Sequence, residues 1–578
     1  MMRFCKSFLG LVAFASIASA QSSNQTTWTN GSIASTCLCF PGDSCWPSTA
    51  QWNALNTTLE GKLIATVPLA SLCHIDGFET YDVDKYNAVR NNWWYPVTHY
   101  TTSSSIMAPF YANRSCDPFY PKDFPCGYGT YVRYAVNASS AFDYQVALDF
   151  ASRNNIRLVI RNTAHDYHGK STGAGGLAIW THNIKSIEIS DYNNDSVDYC
   201  GKAIKIGAGV QASELLEAAH KEGYLAAIGY AGSIGIAGGY AQGGGTGPLA
   251  SVIGLGSDQV LEWEVVTAAG KIVTATETNE YSDLYWALSG GGGGTYGVVL
   301  SATYKLYEDM ETIGGNLTFY NTGTSQDNFY GVIGTFLEAL DAYTTAGGGV
   351  NWLNTGAFFS MAPAIAAGMN QTQFDSFFAP TLLKLKENNM SYVYASEAYD
   401  TFADAYNGQA GPENITNYNI GGRLVSREVV KSNATGVLDT IKWMNDLGVV
   451  VAGLALNVAT TDETPKNSVN PVWRDTLLSI TTGLAWDDTD WDANLASQDL
   501  ITNTIVPRLE ALTPGGGTYL NEGDPHQPNF QQNFYGLSYD RLLSIKKKYD
   551  PNHIFYGHTA VGSEYWTEEA DGRLCKSK

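Results

Sequence analysis

The amino-acid sequence predicts an α+β protein, and three observations carry that reading. Between about residues 125 and 305, apolar runs of strand length alternate with amphipathic helical stretches and are separated by glycine-rich turns. From about 311 to 505 the helical stretches lengthen, as at 374–387 and 437–447, with strand-like runs between them. This second pattern predicts an antiparallel sheet backed by helices. The chain has 578 residues, 44% of them hydrophobic, which suits two or more units with a large buried core.

The elements follow in order. Residues 21 to about 120 are irregular, rich in Pro, Cys and aromatics, with one helix expected near 51–63. An amphipathic helix is predicted over 142–154, followed by a short buried strand at 157–160. A serine before an apolar-periodic run starts a second helix at 213–222. Residues 259–268 and 271–276 flank Ala269-Gly270 as a hairpin-like pair. A helix at 281–288 leads through SGGGGGTYG into a strand at 298–306. Further on, a strand-like run at 449–459 belongs to the second unit, and a helix at 539–549 precedes an aromatic-rich tail. No internal repeat is evident.

Charge and leader bound the function. Thirty-four basic against 56 acidic residues leave a net charge of −22, which repels phosphate backbones and anionic membranes; neither a nucleic-acid nor a membrane partner is expected. Residues 1–20 read as a secretory signal. Arg3 and Lys6 open it, an apolar core runs over 8–17, and Ala18-Ser19-Ala20 is a small-residue cleavage site. The apolar core is too short for a membrane anchor, which needs about 20 residues. Eight cysteines follow (37, 39, 45, 73, 116, 126, 200 and 575), an even number that suits disulfides in an oxidising compartment, with the pairing open. Eleven Asn-x-Ser/Thr sequons, at 24, 30, 56, 113, 137, 194, 316, 370, 389, 414 and 433, fit an exported, N-glycosylated protein. A monomer is expected.

Two segments carry candidate chemistry. In IRLVIRNTAHDYHGKSTGAGG, 156–176, an apolar run enters a polar turn holding His165 and His168. Three readings stand on the residues alone: a solvent-facing histidine, a metal pair with His168 serving a hydrolase, or a cofactor contact. The second segment, AIGYAGSIGIAGGYAQGGGTGPLAS at 227–251, lets backbone approach a ligand closely, as glycine loops do around a diphosphate. Neither glycine-rich run has the G-x-G-x-x-G setting of a Rossmann site.

RNTAHDYHGKS at 161–171, AGGYAQGGGTGPLASVIGLGSDQVLEWEVVTAAGKIVTAT at 237–276, DLYWALSGGGGGTYGVV at 283–299 and YLNEGDPHQPNFQQNFYGLSYDRLLSIKKKYDPNHIFYGHTAVGSEYW at 519–566 resemble, in order, the blocks of the vanillyl-alcohol-oxidase superfamily. The closest resemblance is to secreted fungal FAD-linked oxidoreductases of the berberine-bridge-enzyme-like type. The resemblance implies a two-subdomain PCMH-type FAD-binding domain at 121–310, a substrate domain at 311–505 and a berberine-bridge-like element at 506–578 returning to the FAD domain. The disulfide-bearing segment 21–120 is expected to pack partly on that domain.

The same resemblance implies an FAD bonded covalently to His165 through its 8α-methyl group. Arg161, Asn162, Thr163, Ala164, Asp166 and Ser171 are then expected around the diphosphate, with Ile234, Gly235, Gly239, Tyr240 and Gly244 along the second segment. Relatives often add a cysteine link; the matching place here is near Ala231, so attachment through His165 alone is expected. Ile234 falls where relatives control oxygen approach. Tyr519 and Asn521 match the motif that approaches flavin and substrate, with Tyr519 as the implied proton acceptor. Glu522, where relatives often carry an aromatic, has two readings, a base or a salt-bridged carboxylate, with the salt bridge favoured, and His168 is expected to be a surface or loop-packing residue. The implied reaction is two-electron oxidation of a small alcohol, amine or activated C–H substrate with O2 as acceptor. Secondary-metabolite tailoring and a non-catalytic glycoprotein keeping the fold are the alternatives.

Overall fold

In a computed structural model the described residues are 36–194, 197, 199–460 and 466–577. The leader and the sequons at Asn24 and Asn30 lie outside them. The chain forms a mixed α+β fold around three main sheets.

The first sheet has four strands in the order Leu63–Ala65, Tyr134–Asn137, Leu177–Trp180, Leu158–Arg161. The last three run parallel, and the first is antiparallel to its neighbour. The parallel strands read as near-continuous apolar runs because both faces are covered; Leu177, Ala178, Ile179 and Trp180 are all buried. Helix Ala141–Arg153 packs on one face through Tyr144, Leu148 and Ala151. The helix expected over 51–63 runs over Thr49–Thr58 and stops early, because Glu60 and Gly61 take positive φ in the turn that starts the first strand.

The second sheet is antiparallel, in the order Ile187–Asn193, Cys200–Gly207, Val298–Lys305, Val260–Val266, Ile272–Thr276. The expected hairpin pair is its edge. The third sheet has seven antiparallel strands, from Tyr392–Tyr399 at one edge to Tyr418–Ser426 at the other. Helices Gln326–Thr345, Gln371–Glu387 and Ala434–Asp446 contribute to its core through Phe329, Phe336, Phe374, Phe378, Ile441 and Met444. The antiparallel sheet backed by helices is thus present. The run at 449–459 is strand only over Val450–Ala455.

Residues 36–133 are more ordered than the composition suggests, with helices at Val83–Asn92, Pro96–Tyr100 and Pro109–Ala112. Disulfides join Cys37 to Cys575, Cys39 to Cys45 and Cys116 to Cys126. Cys73 departs from the expectation: it is a buried free thiol inside an apolar cluster with Trp93, Ile106 and Met107. Asn113 is also buried, and its amide nitrogen donates to Asp117 Oδ2 and Asp488 O, both at 3.0 Å. That leaves no room for a glycan on the folded chain.

Candidate active site

The histidine-bearing loop after residue 161 leaves strand Leu158–Arg161 and bends back on itself. Asp166 organises the bend, because its carboxylate accepts the backbone N–H groups of His168, Lys170 and Ser171. Ala164 sits at φ +66°, a region an L-residue enters only when its surroundings impose it. Asn162 is fixed by two donations from its amide nitrogen, to Thr181 Oγ1 at 2.9 Å and Ala208 O at 2.6 Å. With the nitrogen so placed, its Oδ1 is buried with no partner.

The loop forms one wall of a cavity of about 500 Å³, within the size range of cofactor sites. Asn162, Thr163, Ala164, His165, Asp166, Lys170 and Ser171 all line it. The opposite wall is the second glycine-rich segment, including Ile234, Gly235, Gly238, Gly239 and Tyr240. The glycine run at 290–294 is pinned to the second segment: Gly290 and Gly292 both donate their N–H to Gln242 O, at 3.1 and 2.7 Å. Gly293 and Gly294 thereby join the wall. A Cβ on Gly239 would meet nothing within 4 Å, so this backbone faces open cavity. A Cβ on Gly235 would strike Asn162 Oδ1 at 2.1 Å.

Two predicted residues do not reach the cavity. Arg161 lies between Ile160 and Asn162, which line it; side chains along an extended segment alternate, so Arg161 points the other way. It is fully buried and donates to His99 O and Thr102 O, both at 3.1 Å, tying residues 99–102 beneath the sheet. Burial pulls its guanidinium down to about 10. Gly244 is a turn residue at φ +117°, whose carbonyl accepts from Ser257 N and Oγ at 2.8 and 3.0 Å.

The two histidines part company. His168 is buried, pairs its Nδ1 with Thr559 Oγ1 at 2.9 Å and packs edge-on against Phe534; it is a packing residue, not a surface one. His165 opens onto the cavity with 23% of its side chain exposed. Burial otherwise holds its imidazole down to about 4, so it is neutral at ordinary pH. For the metal reading, the one group of three potential ligands among the described residues is Cys39, Asp43 and Cys45, and those cysteines are bonded to each other.

The C-terminal element closes the cavity. Asn521 donates from Nδ2 to Gly239 O and to Tyr519 Oη, both at 3.0 Å. Tyr519 lies edge-on to Trp473 at 5.3 Å, and burial raises its phenol far above the ordinary range. Glu522 corrects the expectation of a salt bridge. Among the described residues no cation pairs with it; its Oε2 accepts only from Thr481 Oγ1 at 3.2 Å, and burial raises its carboxyl to about 7. The seven-stranded sheet contributes Asn351, Ala452, Gly453, Leu454 and Thr481 to the same wall.

Comparison with known proteins meets this geometry. A family profile described as "FAD binding domain" matches residues 132–276, and one described as "Berberine and berberine like" matches 518–562. The FAD-linked oxidoreductase sor8 of Hypocrea jecorina is 47% identical over 545 residues, 94% of each chain.

The chain belongs to the FAD-linked oxidoreductases of the vanillyl-alcohol-oxidase and berberine-bridge-like family.

Another relative is the VAO-type flavoprotein oxidase VAO615 of Thermothelomyces thermophilus, 38% identical over 562 residues, 95% of this chain and 97% of its own sequence. The crystal structure of the VAO-type flavoprotein MtVAO615 from Myceliophthora thermophila C1 superposes with a TM-score of 0.88, covering 94% of this chain and 100% of that one at 36% identity. The bifunctional decalin synthase calF of Penicillium decumbens is 37% identical over 94% of this chain and 96% of its own.

The cavity of this FAD-linked oxidoreductase fits its cofactor. Two buried amide oxygens on its wall, Asn162 Oδ1 and Gln242 Oε1, lack partners and await donors. The bare backbone at Gly239 leaves room for a flat ring system, and the Lys170 cation suits an anionic diphosphate. Of the two readings of Glu522, the salt bridge fails because burial on this wall leaves it only the Thr481 hydroxyl among the described residues. Lys170, which also lines the cavity, carries no signal of its own in the sequence, because a lysine in a polar turn is ordinarily a solvated one.

Proposed function

We propose that this flavoenzyme is exported, N-glycosylated, and holds its FAD covalently through His165 alone. It oxidises a small alcohol, or a substrate with a similarly activated C–H bond, and passes the electrons to O2. The flavin supplies the two-electron acceptor that takes hydride from the substrate carbon. The protein's own residues bind the substrate, exclude water and hold the proton.

The observation that carries this reading is the convergence of His165, the two glycine-rich segments and the 519–522 turn on one cavity. Glu522 is the better proton acceptor of that turn. A phenol raised as far as Tyr519's is protonated at working pH, whereas a carboxyl raised to about 7 is half ionised near neutrality. Tyr519 and Asn521 are assigned to the catalytic group as hydrogen-bonding partners that orient the reacting hydroxyl. The domain at 311–505 sets substrate choice through Asn351, Leu454 and Thr481, with the FAD-binding part at 121–310 and the 506–578 element closing over it.

The test is a substrate screen of the purified protein with peroxide detection, together with mass spectrometry of the peptide spanning residue 165. Peroxide formed with an alcohol, and flavin mass on that peptide, are the expected results. A colourless protein without bound flavin would return the non-catalytic alternative. The likeness to a decalin synthase keeps oxidative tailoring of a secondary metabolite as a second reading; oxidative cyclisation of a larger apolar substrate in place of turnover of simple alcohols would select it.

A further inference from the structure

Three side chains from separate parts of the chain line up behind the cavity. His165 Nε2 lies 2.6 Å from Ser233 Oγ, and Ser233 Oγ donates to Glu413 Oε1. The Ser233 backbone N–H also reaches Glu413 Oε2, at 3.3 Å. Ser233 is buried, and its own carbonyl accepts from Gln211 Nε2 at 2.8 Å, which holds the turn in place. Glu413 comes from the loop between helix Phe402–Gln409 and strand Tyr418–Ser426, remote in sequence from both partners.

The proton count in this chain is decided by chemistry. A carboxylate only accepts, so Ser233 spends its single O–H proton on Glu413. The serine oxygen is then left to accept, and Nε2 of His165 must carry the ring proton. A neutral imidazole with its proton on Nε2 has its lone pair on Nδ1.

We infer that Ser233 and Glu413 are positioning residues for flavin attachment, which hold His165 in the tautomer that presents Nδ1 to the cofactor and drain the Nε2 proton as the bond forms. The inference rests on the proposed attachment through His165. The Nδ1 lone pair forms a bond to the 8α-carbon while one C–H bond of that methyl breaks. The Nε2 proton passes through the Ser233 hydroxyl to Glu413. Two hydrogens are removed in all, one from the methyl and one from the ring nitrogen, and dioxygen takes them with their electrons as hydrogen peroxide. The product is a neutral, Nδ1-substituted imidazole.

The full-length protein produced under flavin limitation, then supplied with FAD in air, gives the test. Attachment is followed as acid-precipitable flavin, and dissociable FAD binding is measured separately. Glu413→Gln and Ser233→Ala are expected to bind FAD but to attach it roughly 10²-fold more slowly, in line with lost proton-transfer assistance. Glu413→Asp recovers much of the rate, which a purely structural role would not produce. The flavin-bearing peptide of the unaltered protein is expected to co-elute with a synthetic Nδ1-linked histidyl-flavin. Attachment at the unaltered rate in Glu413→Gln and Ser233→Ala, or an Nε2-linked peptide, overturns the inference while leaving attachment itself intact. An unaltered protein whose FAD is wholly dissociable overturns both. Should the variants fail to fold, the linkage atom in the unaltered protein still decides.

Discussion

Lys546 and Asp550, one turn apart on helix Tyr539–Tyr549 and its cap, form a fully buried ion pair at 2.6 Å. The ammonium spends its remaining donors on Thr295 O at 2.8 Å and Phe555 O at 2.7 Å. Thr295 follows the glycine run that lines the cavity, and Phe555 lines it directly, so this pair clamps the C-terminal element to the cofactor wall. Lys546→Met leaves a buried carboxylate unpaired and is expected to cost about 3–5 kcal/mol. The measurement is the thermal or denaturant midpoint; an unchanged midpoint would show that the clamp contributes nothing.

Glu522, the proposed base, is expected to set a pH limb. As a base it works ionised, so turnover should rise with pH through about 7. Glu522→Gln should lower kcat by roughly 10²–10⁴-fold and erase that limb. The same shift acts on stability in the opposite sense. The folded-state value lies above the ordinary 4.5, so folding favours the neutral acid; that contribution is full below about 4.5 and is lost as pH rises through about 7. A pH–rate profile with its acidic limb intact in the Gln variant removes Glu522 from catalysis.

Gly239 separates cofactor space from fold. A side chain there meets no protein atom within 4 Å at its Cβ, so Gly239→Val should fold normally. It should still weaken FAD binding by roughly tenfold or more, about 1.4 kcal/mol per factor of ten. Titration of flavin-depleted protein and its melting curve report the two quantities independently. Unchanged FAD affinity would mean the open backbone is not part of the cradle.

Glycan mapping tests the export reading at single residues. Asn370, Asn389, Asn414 and Asn433 are exposed, and Asn113 is buried with its amide committed. Glycopeptides are expected at the exposed group and not at Asn113. Full occupancy at Asn113 would contradict the burial described above.

Much of the site was legible because its parts are contiguous in the chain. The loop 161–171 and the segment 227–251 announce themselves by composition, and glycine has no bland role at such density. Arg161 shows the limit. It sits inside the right motif, yet strand alternation turns it into the sheet's other side, where it binds His99 O and Thr102 O. Glu522 shows another. Its expected ion pair depended on a cation, and among the described residues none pairs with it.

By itself the sequence determined the α+β class and the run of elements, because periodicity and glycine placement are local properties, and its ordered motifs carried the resemblance to the family. The tertiary structure alone decided which donors and acceptors meet. Ser233 and Glu413 are 180 residues apart, and Thr481 and Glu522 are 41. Their contacts exist because packed sheets bring distant segments within hydrogen-bond reach, and removal from water then shifts the protonation of the groups that line the cavity.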